Sequence, residues 1–309
     1  MSMHAIYDLS QLGLICFSGE EAQRFLQNQL SCDVEGLTPN RSTYGSYCTP
    51  KGRVLATFLL WRSEQGYFMQ LPAALCEPIR QRLSKFILRS KVKATDASNA
   101  FARFGIAGNG AGTMLKPIFG DAPAAMHEVR HPRDATLIKL PVDRFEAVVK
   151  TEKAATIREA LRENAGEAAS RTWNWLEIRA GIPMITPATQ EEFVPQMVNL
   201  DLIGGVSFTK GCYPGQEIVA RMHYRGGLKQ RMHLAHLESD TAPQPGDKLY
   251  SPELGGQSCG MIVNAAPLPE GGYDALAVIQ MSSVEAGQVH WATPQGPALR
   301  FLALPYHVY

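Results

Sequence analysis

Lys210-Gly211-Cys212-Tyr213-Pro214-Gly215-Gln216-Glu217, continuing as Ile218-Val219-Ala220-Arg221-Met222, concentrates more chemistry than any other part of the chain. Proline suits the first turn of a helix, so a helix is expected to start close to Pro214. Cys212 then stands at the positive end of the helix dipole with Lys210 as a cationic neighbour. Both favour the thiolate, the nucleophilic and metal-binding form. Packing as a small buried residue is the other reading of a lone cysteine. Gly211 and Gly215 flank it and allow close backbone approach and positive φ. Glu217 falls in the first turn, where an acid complements the dipole. Arg221, four residues on, can form a surface pair with it worth a few tenths of a kcal/mol.

Downstream of Gly226-Gly227 the pattern becomes short β-like runs at 232–237, 248–250, 258–264, 273–281 and 298–304, separated by Pro/Gly turns. That spacing predicts a small barrel or sandwich and places a boundary near residues 226–232. Upstream, residues 13–17 read as a strand. Ser18 and Glu21 spell a capping box, with Ala22, Phe25, Leu26 and Leu30 as the buried face of the helix it starts. Antiparallel strands are expected at 43–48, 54–61 and 67–71. Pro78 then opens a helix with an apolar stripe of Ile79, Leu83, Phe86 and Ile87, ending near Arg89. Strands at 92–95, 101–107, 136–140 and 145–149 bracket a Gly-rich stretch, and helices follow at 151–164 and 173–180. The class is α+β. The expected domains are 1–230, within which about 45–150 reads as an inserted α+β subdomain, and 231–309.

The chain has 309 residues, 45% hydrophobic and 19% charged, which supplies ample core and argues against disorder. Its formal charge of +1 gives no global field for wrapping nucleic acid or adhering to anionic lipid. No apolar run approaches the roughly 20 residues of a membrane helix. No basic stretch leads into an apolar one at the N-terminus, so the expected compartment is the cytoplasm. The cysteines, at 16, 32, 48, 76, 212 and 259, never form C-x-x-C, which disfavours a zinc ribbon or disulfide scaffold. Lys85, Arg89, Lys91 and Lys93 form a basic patch, read here as solvated surface.

The signature run resembles that of the folate-binding YgfZ proteins, relatives of the glycine-cleavage T-protein, whose pattern is K-G-C-Y-x-G-Q-E. Every fixed position is matched. The similarity continues through Phe193-Val194-Pro195-Gln196-Met197-Val198-Asn199 to Gly204-Gly205-Val206-Ser207-Phe208, and through Ile218-Val219-Ala220-Arg221 to Tyr224-Arg225-Gly226. Weaker matches at Phe25-Leu26-Gln27 to Asp33, at Lys51-Gly52-Arg53 and from Trp173 to Pro183 extend it over almost the whole chain.

The resemblance implies a T-protein-like fold of several α/β subdomains around a central folate channel, plus a small C-terminal β-barrel. It implies tetrahydrofolate or a derivative as ligand, and a role in assembling or repairing iron–sulfur enzymes, including radical enzymes that thiomethylate tRNA. Cys212 would be the functional thiol and Lys210 its charge partner. Trp173 would line the folate channel, with Tyr213, Gln216, Glu217, Arg221 and Arg225 as further lining. Leu12 replaces a second tryptophan found in some relatives. The alternative is a folate-dependent aminomethyl- or methyltransferase. The T-protein uses an aspartate here matched near Pro78, which cannot shuttle a proton, so Glu77 would have to serve instead. One cysteine cannot hold a cluster, so no resident metal is expected and Cys212 would touch an iron–sulfur centre only transiently. Expected partners are folate and iron–sulfur client or assembly proteins, with no membrane, no direct tRNA contact and a monomeric chain.

Overall fold

The strand Leu12–Ser18 is apolar over nearly its whole length because it is buried on both faces. It lies between Gly66–Pro72 and Lys93–Asp96, antiparallel to each. Gly66–Pro72 in turn pairs with the later part of Val54–Ser63. The helix Ala73–Ser84 covers this sheet with Leu75, Cys76, Ile79 and Leu83. The computed structural model describes residues 4–268 and 270–308. Contacts divide the chain into two units, one of Met1–Leu26, Val34–Thr43 and Phe58–Trp173, the other of Gln27–Asp33, Tyr44–Thr57 and Asn174–Tyr309.

The first unit holds a second sheet, ordered Gly166–Ala168, Ala5–Asp8, Phe101–Ala107, Arg144–Lys150, Ala135–Leu140, Val129–Arg130. Only the pair at its start, Ala5–Asp8 with Gly166–Ala168, is parallel. Phe104, Ile106, Phe145, Ala147 and Leu137 form one core with Met114, Leu115 and Phe119 of the helix Ala111–Phe119 and Leu161 of the helix Ala154–Arg162. Each large apolar side chain so buried contributes about 1.5–3 kcal/mol.

Several local expectations are corrected. The helix read from Pro78 begins at Ala73, so the proline sits inside it. The helix ends at Ser84, which leaves Phe86 49% exposed rather than in a stripe. The Ser18–Glu21 capping box does not form, because a Glu21 carboxylate oxygen accepts the Lys91 main-chain N–H at 2.7 Å. Leu30 lies beyond the short helix Ala22–Gln27 and instead bridges to Tyr47 in the second unit. The Gly-rich stretch contains the helix Ala111–Phe119, bounded by Gly110 and Gly120 at positive φ.

In the second unit, the six-stranded sheet His290–Trp291, Lys248–Tyr250, Ser258–Pro267, Tyr273–Gln280, Gln230–Leu237, Arg300–Leu302 curls into a half-barrel. Leu237, Leu249, Ile262, Ala275, Ile279 and Val289 fill its interior. The strand from Tyr273 stops at Gln280 because Met281–Ala286 is helical. Buried Asp274 accepts the Trp175 indole N–H at 2.9 Å and pairs with His236 Nδ1 at 3.0 Å, tying the residues after Asn174 to this sheet. Among the described residues no helix is long and apolar enough to cross a membrane.

Candidate functional site

In the second unit, the segment from Ser207 to Gly215 is irregular, and its shape is set by three anchors. The first is Lys210, whose Nζ donates to the main-chain carbonyls of Gln27, Leu30 and Cys32 at 2.6, 2.7 and 2.9 Å. An ammonium has three donor protons, and each of these carbonyls lies within hydrogen-bond distance of it. Lys210 therefore works as a clamp on the turn 27–32. The second anchor is Tyr213, 6% exposed, whose ring lies 5.2 Å from the same ammonium. Burial, with Cys48 and Cys32 nearby, raises its phenol well above the ordinary value, and among the described residues its hydroxyl has no hydrogen-bond partner.

Gly215 is the third anchor. At φ +83° it packs on the turn after the strand Ser42–Cys48, where a Cβ would lie 2.5 Å from the Thr49 carbonyl oxygen and 2.6 Å from Gly52 Cα. Gly52, itself at φ +72°, faces Gly215 O and Ile218 in return. The expected close approach is thus met by Gly215, whereas a Cβ on Gly211 would meet only open space. Between the anchors Cys212 is exposed, and the other five cysteines are buried. The helix starts at Gln216 with Gly215 as its cap, close to Pro214 as expected, and Cys212 lies before it.

Of the remaining expected site residues, Gln216 turns back into the loop, its Nε2 donating to Lys210 O at 3.4 Å. Glu217 and Arg221 are exposed and form no ion pair with each other among the described residues. The side chain of Arg225 lies outside the described residues. Phe208 stacks on His223 with ring centroids 3.8 Å apart, holding the helix Gln216–Arg225 against the loop that precedes it. Beneath the loop, burial pushes the thiols of Cys32 and Cys48 up to about 12, so both stay protonated and inert at neutral pH. Gln196 Nε2 donates to Val219 O at 2.6 Å, and its buried Oε1 has no hydrogen-bond partner among the described residues.

Trp173 belongs to the first unit and is 1% exposed. Tyr7 lies tilted against it at 5.4 Å, the guanidinium of Arg144 stands 5.0 Å over its ring, and Gly105 backs it so closely that a Cβ would come within 2.5 Å. Sequence reasoning missed the polar residues of this unit. Arg144 is 0% and Glu146 1% exposed, and Gln70 Nε2 donates to Glu146 Oε2 at 2.9 Å. Gln70 Oε1 is buried without a hydrogen-bond partner among the described residues. The signal was present in the strand Arg144–Lys150, where ionisable residues 144 and 146 alternate with apolar 145 and 147 in a strand buried on both faces.

Leu12 and Glu77 line a separate hollow of about 490 Å³ in the first unit, together with Cys76, Asp96 and Arg103. Both carboxylate oxygens of Glu77 accept Arg80 donors at 2.7 Å, and Gln81 adds a third bond. These bonds hold its carboxyl down at about 2. A carboxylate so weakly basic is a poor general base near neutral pH. No three His, Cys, Asp or Glu side chains converge to hold a metal ion among the described residues.

Comparison with known proteins places these features. Residues 2–169 match the GCVT N-terminal domain. The chain is 32% identical over 246 residues to a tRNA-modifying protein YgfZ of Yersinia pseudotuberculosis, covering 79% of this chain and 74% of that protein. It is 33% identical over 251 residues to its counterpart in Colwellia psychrerythraea, covering 81% and 76%. The counterpart in Sodalis glossinidius is 29% identical over 307 residues, covering 98% and 93%. Its fold is that of the glycine cleavage system aminomethyltransferase T from Bartonella henselae, with a TM-score of 0.78 at 17% identity over 98% of this chain and 86% of that one. With a GCVT N-terminal domain over more than half its length, a T-protein-like fold and this level of identity to curated relatives, the chain belongs to the YgfZ family.

Proposed function

We propose that the chain is a folate-binding accessory protein that supports iron–sulfur enzymes, among them enzymes that modify tRNA, and that Cys212 is the group it presents to them. The observation that carries this reading is the division among the thiols. Five are buried, two of these held protonated by burial, while Cys212 alone is exposed, between three anchored positions. A thiol that served only packing would be buried like the rest. An exposed thiol on a fixed loop can reach the iron of a client's cluster, for which thiolate is the ordinary ligand.

Folate binding draws support from the first unit. A pterin is a flat ring with donor and acceptor groups along one edge, and it calls for an aromatic wall and buried polar partners. The orphaned Gln70 Oε1 beside Glu146 suits such donors, while Trp173, with Arg144 over its ring, would act from within the packed core. The burial of Trp173 means that ligand would meet an already packed ring, so its fluorescence should respond through its surroundings. Bound tetrahydrofolate would supply a one-carbon carrier or a reductant, and the chain's own contribution is to hold and orient it.

Two measurements test the reading. Cys212→Ala and Cys212→Ser should both fail to restore tRNA thiomethylation in cells lacking the endogenous protein, with melting temperatures unchanged. Full restoration by either variant removes the thiol from the account. Tetrahydrofolate titration should change the tryptophan emission saturably, and Gln70→Leu should weaken the binding. A flat titration to millimolar ligand eliminates folate.

A further inference from the structure

Between Ile79 and Lys93 the sequence holds six cations, Arg80, Arg82, Lys85, Arg89, Lys91 and Lys93, and no acid. The structure gathers them around the turn that ends the helix Ala73–Ser84. At its tip Leu88 is 88% and Phe86 49% exposed, far more apolar surface than the packed stripe the sequence led one to expect. The turn is tied by its own backbone, through Phe86 N to Leu83 O at 3.0 Å and Ser90 N to Ile87 O at 2.8 Å. Leu88 is held at φ +46°, a conformation leucine adopts only at a cost. Two large apolar side chains are thus presented in a fixed arrangement.

Arg80 is committed to Glu77 and Lys91 to Glu20. Arg82, Lys85, Arg89 and Lys93 are exposed and make no ion pair among the described residues. We infer that this tip is a docking surface for a protein partner with an acidic rim around an apolar notch, which receives Leu88 and Phe86. The inference rests on the accessory role proposed above and supplies the contact through which a client or assembly protein would be engaged.

Charge decides among the occupants. A second copy would bring the same four cations to the patch, so self-association through it is opposed. A lipid surface would gain only two side chains, less apolar contact than a single myristoyl chain, which by itself anchors marginally. Nucleic acid would use the cations and the Phe86 ring, but Leu88, the more exposed of the two apolar residues, offers nothing to phosphates or to base stacking. One or two apolar anchors within a polar rim, already in their bound shape, are what a protein hot spot requires. Complementary charge then supplies steering.

The test uses the full chain in the thiomethylation rescue described above. Leu88→Asp, and separately Lys85→Glu with Arg89→Glu, should each lower the rescue about tenfold, the loss expected when one hot-spot anchor or its charged rim is removed. Their melting curves should match the parent, because these side chains are exposed. A photo-crosslinking residue in place of Phe86 should yield a protein adduct. Reversing the acids of that protein at the crosslinked face should restore the Lys85→Glu, Arg89→Glu variant. Full rescue by both tip variants overturns the inference, as do adducts to tRNA or lipid alone, or an adduct partner whose charge reversal restores nothing. If instead Cys212→Ala rescues fully, it is the accessory role of the thiol that falls.

Discussion

Lys210→Met separates the clamp from the charge partner. The methionine keeps much of the aliphatic length and removes the ammonium, leaving the carbonyls of Gln27, Leu30 and Cys32 without the donor they share at 2.6–2.9 Å. Hydrogen bonds to a charged group contribute about 1.5–3 kcal/mol each, and three acting as one unit are strongly non-additive. Regaining the desolvation of the ammonium offsets part of the loss, so the expected net cost is about 3 kcal/mol. For a unit of this size that is a fall of roughly 6–12 °C in melting temperature. Lys210→Arg should recover less than half of it, because a planar fork does not match three carbonyls converging on one point. Urea unfolding followed by circular dichroism, with limited proteolysis around residues 205–215, reads both effects. A loss below about 1 kcal/mol with an unchanged proteolysis pattern would refute the clamp.

Gly215→Ala puts a methyl 2.5 Å from the Thr49 carbonyl oxygen at a φ of +83°; it should cost about 2 kcal/mol or more and abolish rescue, and a variant that rescues normally would show that the loop is not fixed at this point. Gly105→Ala drives a methyl into the Trp173 ring at 2.5 Å, so the emission spectrum should shift and folate binding weaken, with an unaltered spectrum counting against the packing described. Desolvation lowers both His127 and His233 from 6.5 to about 4. Because these folded-state values lie below the unfolded one, the stability they lend is complete above about pH 6.5 and disappears as pH falls toward 4. By pH 5 each should have lost about 2 kcal/mol relative to pH 7, and His127→Gln should flatten its share of that slope, which urea titrations at the two pH values would reveal or deny.

Much of the architecture was legible because apolar periodicity governs it. The runs at 13–17, 67–71, 101–107 and 145–149 became strands since nothing but a sheet buries both faces of so short a segment. The helix Ala111–Phe119 was hidden by its glycines and by Pro117, although Ala111, Met114, Leu115 and Phe119 keep the helical spacing. At the Pro78 helix, local turn chemistry pointed to a start where tertiary packing of Leu75 and Cys76 had already begun one. In the candidate site, the glycine at 215 could be read because positive φ and close approach need a residue without Cβ. The clamping role of the lysine could not be read from the sequence. Its carbonyl partners are more than 170 positions away in sequence, and main-chain acceptors leave no side-chain mark by which to be recognised.

That blind spot bears on what the signature run specifies. Lys210, Tyr213 and Gly215 are each explained by what they hold: a turn of carbonyls, a buried pocket beside Cys48, and the backbone of Gly52. None of these three requirements extends to Cys212. Its side chain is exposed, and serine or alanine would meet every structural need of the position equally well. A reactive thiol at the surface carries a standing hazard of oxidation, since susceptibility follows exposure. The loop therefore spends three positions on fixing its own backbone and exposes at the fourth the one side chain that its geometry does not need. Under the function proposed above, chemistry directed outward, at a partner that brings its own metal, would account for that arrangement.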